Sequence, residues 1–388
     1  MPGTSLPPLV PQRVQDRAAV VSAYNMLQRL ENTILAENNR ASVVTRGKNK
    51  RDVDLMYCRI IGHFFHHVPS DRGLVNLVRE VTSTSGDRQK LLDLGKLYYD
   101  HAFRLFRSAK GRTPLQSRHP SRPSFNTMLE EAPTGHETAK RKALVRDGFR
   151  CVISGRYDRE SVRRFRVLNE TPGIELVATE CAHILSESTN VATGEGSGKV
   201  YTDYAASAWA VLSRFSSREN LLKELNGPKV HHLENVMTMC LEAHRLFDKL
   251  EIWLEPTDVE NVYNLGARYP QDIIGYQQVI TFSTDNPKLP VPSREYLALH
   301  AACAKVAHLS AAAEYMDSVI REMEETLVLS SDGASVAVLE HALWTAQHEL
   351  DPVKQVLALD AWSTTLIFEH CCTSSCLPRF LVEFSVQE

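Results

Sequence analysis

The sequence predicts an α+β protein, mainly helical, with a short strand-and-helix unit in its middle and helical regions on either side. Three observations predict it. Apolar residues recur at three- and four-residue steps through the first hundred residues. Short β-like runs divided by turn residues fill residues 137–289, and helical periodicity returns after Pro290 and Pro292.

In the N-terminal part, residues 1–110, Val20, Tyr24, Leu27, Leu30 and Ile34 fall on one face of a helix between Asp16 and Asn38. A second helix is expected over Leu55 to His66. A third runs from Lys90 to Phe106, with Leu91, Leu94, Leu97, Tyr98, Ala102 and Phe106 on its apolar side. Residues 111–136 lose this pattern to Pro, Ser, Arg and Thr, including Pro114, Pro120, Pro123 and Pro133, and are expected to be a linker. The C-terminal region, residues 290–388, opens with one long helix from Arg294 to about Leu327, apolar on one side and acidic on the other. The helix ends at the Ser330-Asp332-Gly333 break, and the segment around Cys371, Cys372 and Cys376 takes no assignment.

With 388 residues, 43% apolar and 23% charged, the chain has room for two or three modest domains with a buried core. The proline-rich start lacks the apolar run of a secretory signal, and no stretch approaches eighteen uninterrupted apolar residues. The expectation is an intracellular protein, cytoplasmic or nuclear, away from membranes. Eight cysteines lie scattered along the chain, so most are expected to be buried, reduced thiols. The net charge of −3 conceals an uneven distribution. His101 to Glu170 carries 16 Lys and Arg against 7 Asp and Glu, and Val291 to Glu388 carries 5 against 14. A basic stretch beside a candidate site suits a polyanion ligand, because each phosphate neutralised releases counterions; a solvated basic linker is the plainer alternative.

Chemistry concentrates in three short segments. Lys142 to Gly155, KALVRDGFRCVISG, reads as a helix end, a turn at Asp147-Gly148 and a β-like stretch from Phe149 to Ile153. Leu176 to Leu185 reads as a strand that delivers His183 between Ala182 and Ile184. Val236 to Cys240 reads as a second strand, followed by a helix from Leu241 to Leu250. His244 and Asp248 stand one turn apart on that helix and suit a shared divalent cation; the plainer reading is a surface pair.

Taken in order, RDGFRCVISG, ECAHIL and LENVMTMCLEAHRLFD followed by EIWLEP resemble the HNH (His-Me finger, ββα-metal) endonuclease family, with Asn235 nine residues before His244. They look like the subfamily, common in fungal proteins, in which Ala-His-Ile replaces the more usual Asp-His. The resemblance covers Arg141 to Tyr263 and implies a ββα-metal core within residues 137–289. It also implies His183 as general base, His244 as metal ligand and Asn235 as the residue that fixes the loop holding His183. One divalent ion (Mg, Mn or Zn) and a nucleic-acid substrate, DNA ahead of RNA, are expected with it. Lys140, Arg141, Lys142, Arg146 and Arg150 are then candidate phosphate contacts; Lys140-Arg141-Lys142 reads equally as a nuclear address.

Two departures from the family pattern stand out. The position before the base, a metal ligand in many members, is Ala182, so a ligand must come from elsewhere: Glu180 on the same strand, or His183 itself. The paired Cys-x-x-Cys knuckles of many relatives are halved to Cys151-x-x-Ser154 and Cys240-x-x-Ala243, and two thiolates cannot close a four-ligand shell. No structural zinc is expected.

Elsewhere, His63, His66 and His67 have helical spacing without the glutamate of a metalloprotease helix. His231 and His232 precede Asn235 and are auxiliary candidates for phosphate or metal contact. TGEGSGK, residues 193–199, lacks the spacing of a phosphate-binding loop. A metal-dependent endonuclease is the leading reading. The rivals are a degenerate HNH module that binds nucleic acid or protein, with the acidic residues Glu314, Asp317, Glu322, Glu324 and Glu325 as a partner-docking face, and a toxin or defence effector.

Overall fold

The three- and four-residue spacing of Val20, Tyr24, Leu27, Leu30 and Ile34 becomes the buried face of helix α1, Ala18–Arg40, which lies against α2, Lys50–His67. A computed structural model describes residues 3–40, 50–103, 135–165, 173–185, 211–215, 225, 227–325 and 335–348. The expected linker up to residue 134, the segment 193–199 and the cysteines at 371, 372 and 376 lie outside the described residues.

Helix α3, Asp71–Ser83, was not expected. Leu74, Leu77 and Val81 form its buried face, and Ser70 caps its start by accepting the Gly73 N–H at 2.9 Å. Helix α4, Arg88–Tyr98, continues as a π-turn through Phe103. At the α1–α2 interface Glu31 is 4% exposed, bonds the Arg59 guanidinium at 2.7 Å and accepts the Leu6 N–H. That carboxylate ties the N-terminal strap to both helices.

The middle of the chain opens with α5, His136–Arg146, and the two-residue strand β1, Tyr157–Asp158. The expected strand from Phe149 to Ile153 does not form. Gly148 and Phe149 both take positive φ and close the end of α5, with the Phe149 N–H on the Leu144 carbonyl at 2.7 Å. The chain then makes a tight turn in which the Gly155 N–H returns to the Cys151 carbonyl. A short helix α6, Arg159–Arg164, leads to β2, Leu176–Val177, which pairs parallel to β1.

Strands β3, Thr179–His183, and β4, Val236–Cys240, form an antiparallel hairpin in which His183 faces Val236 and Glu180 faces Met239. Alternation along β3 decides what each side chain meets. Cys181 joins Ala139, Ala143, Leu233 and Val236 on the α5 side. Ala182 joins Met237, Met239 and Ala243 on the side of helix α7, Leu241–Asp248. Strands β5, Ile252–Pro256, β6, Val262–Ala267, and β7, Val279–Thr281, follow as an antiparallel sheet.

The long helix expected from Arg294 is two: α8, Arg294–Leu309, and α9, Ala312–Glu325, separated at Ala311, whose φ is +68°. The Leu309 carbonyl is taken there by the Thr4 N–H at 2.7 Å, so the N-terminal strap sits where the helix would have continued. A further helix, α10, covers Val336–His348. Glu314, counted on the acidic face, turns inward to bond Arg268 and His308 at 3.1 and 3.2 Å. Helix α8 lies against both α2 and β5, and one hydrophobic core runs from Leu6 through Ala182, Ala243 and Phe247 to Met316. No helix among the described residues is long and apolar enough to cross a membrane.

Candidate active site

The hairpin delivers two groups of side chains, one on each face. Glu180 points toward α7, where its Oε2 lies 2.8 Å from His244 Nδ1, and the other nitrogen of that ring, Nε2, lies 3.4 Å from Asp248 Oδ2. Glu180 and Ala182 share a strand parity. The carboxylate therefore reaches the imidazole from the face on which position 182 carries only a methyl group.

The three groups are electrostatically coupled. Burial pushes the Asp248 carboxyl up to about 6; Glu180 adds to the rise and His244 opposes it. Burial alone would lower His244. The Glu180 hydrogen bond and the charges of Asp248 and Glu180 outweigh it, so the imidazole holds its proton more tightly than usual. Two carboxylates and an imidazole are a donor set that a divalent ion accepts. As they stand the three form a chain with the ring in the middle, and no three His, Cys, Asp or Glu side chains among the described residues enclose a common point.

On the other parity, His183 meets two further imidazoles. Its Nε2 lies 3.1 Å from His231 Nδ1, with ring centroids 5.2 Å apart. His136, the first residue of α5, sits 5.7 Å from the His183 ring and 6.4 Å from the His231 ring. Burial pushes the His183 pKa down to about 3, and His231, His136 and His244 push it further the same way. At neutral pH this ring is uncharged and has a lone pair to offer.

Asn235 is fully buried, and its amide is saturated. Oδ1 accepts the Leu185 N–H, while Nδ2 donates to the carbonyls of Leu185 and Val230, all at 2.9 Å. One side chain thus fastens the main chain two residues after His183 to the main chain one residue before His231.

Of the auxiliary pair, His231 stands 6% exposed beside His183, whereas His232 caps the turn Leu233–Asn235 through its backbone. The candidate phosphate contacts divide. Arg146 is buried, its guanidinium bonded to Asp147 and to the carbonyls of Leu233, Val236 and Pro290; Lys142 is 2% exposed. Both are structural and are withdrawn as phosphate contacts. Arg150 is exposed, its guanidinium 4.2 Å above the Tyr157 ring, while Lys140 and Arg141 are partly exposed and Arg141 pairs with Glu137. His136 was missed, because nothing in its surroundings marks it and only the fold brings α5 to the hairpin.

The halves of the two cysteine knuckles meet. Cys151 and Cys240 act on each other electrostatically, with Ser154 and Tyr276 alongside, and the Ser154 N–H donates to Cys151 Sγ at 3.3 Å. Cys151 lowers the Cys240 thiol against the effect of burial, while Cys240 and burial together raise Cys151. His63 lies far from this chemistry, bonded at 2.9 Å to the Thr4 carbonyl, and His66 bonds the Tyr24 hydroxyl.

Residues 151–255 match the family model for HNH endonucleases. No curated protein and no solved structure matches the chain. The matched segment begins at Cys151 and includes β3, β4, α7 and the strand after it, so the elements carrying Glu180, His183, Asn235, His244 and Asp248 all fall inside it. Over residues 151–255 the chain is therefore similar to the HNH endonucleases.

Proposed function

We propose that the chain hydrolyses phosphodiester bonds in nucleic acid, DNA ahead of RNA, with one divalent ion bound on the α7 face and His183 acting as the base. The observation that carries this reading is the 2.8 Å contact between Glu180 and His244, because it supplies the carboxylate that Ala182 cannot. Glu180, His244 and Asp248 are the residues that would hold the ion, once the ring gives up one of its carboxylate partners. The ion would neutralise charge on the phosphate and stabilise the leaving oxygen.

His183, neutral because burial keeps it so, takes a proton from water. The water oxygen forms a bond to phosphorus as the bond to the leaving oxygen breaks. Asn235 holds the chain on both sides of the base in fixed geometry, the condition under which a positioned group contributes most to rate. Arg150, with Lys140 and Arg141, offers positive charge to the backbone of the substrate.

Plasmid nicking tests the reading. The full chain should cut with Mg²⁺, Mn²⁺ or Zn²⁺ and stop on addition of EDTA. His183→Ala should lose activity by about 100-fold or more with an unchanged circular dichroism spectrum. By calorimetry, divalent binding should be present in the parent and lost in His244→Ala. Absence of both cutting and divalent binding in the parent would favour a binding module over a nuclease.

A further inference from the structure

We infer that His231 is a positioning residue for the base: its Nδ1 accepts the Nε2–H of His183 and thereby fixes the tautomer in which His183 Nδ1 is the free, basic nitrogen. The inference rests on the assignment of His183 as base. Neutral imidazole has one N–H and one lone pair, and two such rings 3.1 Å apart must divide the roles of donor and acceptor. If His231 donated, His183 would carry its proton on Nδ1 and use its Nε2 lone pair in the bond. Neither nitrogen could then take a proton from water. With His183 as donor, Nδ1 keeps its lone pair.

The surroundings are built for this bond. His231 is 6% exposed, so water competes poorly for its Nδ1. The Asn235 amide holds the Val230 carbonyl with one hydrogen and the Leu185 carbonyl with the other, which sets the separation of the two rings from a single buried side chain. The His136 ring, tilted 34° to His183 at 5.7 Å, stands beside the pair and narrows the room for the base to rotate.

Proton balance favours the arrangement as well. When water gives its proton to His183 Nδ1, the ring becomes a cation, and its Nε2–H bond to His231 becomes charge-assisted and stronger as the reaction proceeds. Hydroxide adds to phosphorus, and the proton remains on His183 until it passes to solvent or to the leaving oxygen. His231 exchanges no proton; it orients.

Imidazole ¹⁵N spectra of the full chain at pH 7.5, assigned by the signals lost in His183→Gln, read the tautomer directly. The expected result is a protonated Nε2 and an unprotonated Nδ1 on His183. His231→Phe should mix the tautomers and lower kcat by about 10- to 100-fold, and His231→Asn, whose amide oxygen lies near the place of Nδ1, should restore both. A proton on Nδ1 of His183 in the parent overturns the inference, as does a Phe variant with parental spectrum and rate. If the parent shows Nε2–H but cuts no nucleic acid with any of the three ions, the nuclease reading fails while the His183–His231 assignment stands.

Discussion

Asn235 and Leu185 are joined twice, through the Leu185 N–H to Oδ1 and through Nδ2 to the Leu185 carbonyl, both at 2.9 Å in a fully buried setting. A third bond from the same amide reaches Val230.

Replacing that side chain should therefore be costly to the fold as well as to activity. Asn235→Ala leaves a buried N–H and two carbonyls without their partner, and stability should fall by about 3 kcal/mol or more. The urea midpoint measures it. A shift within error would mean that water enters and serves the three groups.

Two arginines five positions or fewer from the α5 terminus should behave oppositely. Arg146→Ala strands Asp147 and three carbonyls in the interior and should destabilise by about 3 to 5 kcal/mol. Arg150→Ala should leave the melting temperature unchanged, weaken DNA binding and lower the slope of log K against log salt by about 1. Fluorescence anisotropy across a salt series, alongside thermal melts, separates the two.

Acid should weaken the fold before carboxylates titrate. Burial holds His63 and His67 down to about 4, and His183 and His300 down to about 3. Below the ordinary imidazole pKa of about 6.5 the unfolded chain takes up protons that the native state refuses, so stability falls as pH drops. Each withheld proton removes about 1.4 kcal/mol per pH unit once the unfolded ring is charged. His300→Phe, which keeps an aromatic ring against Phe247, should flatten the decline between pH 6.5 and 5. A urea midpoint independent of pH over that range would refute the account.

In His244→Ala, which has lost the ion proposed for the α7 face, chelation should leave the melting temperature unchanged. The thiols of Cys151 and Cys240 have hydroxyl neighbours in Ser154 and Tyr276, a set with two sulfurs where a closed structural zinc shell takes four ligands of the Cys and His type. Calorimetry with and without a strong zinc chelator tests this, and a fall in Tm would reveal a structural ion.

Much of this was legible in the chain before any coordinates. The nine-residue interval from Asn235 to His244 and the His183 strand carry the family pattern, and the strand offers Glu180, on the Ala182 face, as one of two replacement ligands, with His183 as the other. Helix α3 carries a signal of the same kind in the spacing of Leu74, Leu77 and Val81 behind the Ser70 cap. The rest depends on tertiary contacts. No glycine or proline announces the break at Ala311, which follows from the N-terminal strap bonding Leu309. His136 and His231 meet His183 only because α5 and the turn Gly227–His231 converge on one end of the hairpin. Burial of Lys142 and Arg146 is likewise invisible in a run of basic residues.

The shared core has a consequence for how helix α7 breathes. Phe247 stacks on His300 of α8 at 3.7 Å, and α8 rests on α2, so α7 has neighbours far outside the matched segment. Amide protons around His244 should then exchange with solvent through openings that also loosen α2 and α8. Protection at the site is set by the whole assembly, and a truncation at Tyr24 or Leu27 in α1 would register there as faster deuterium uptake.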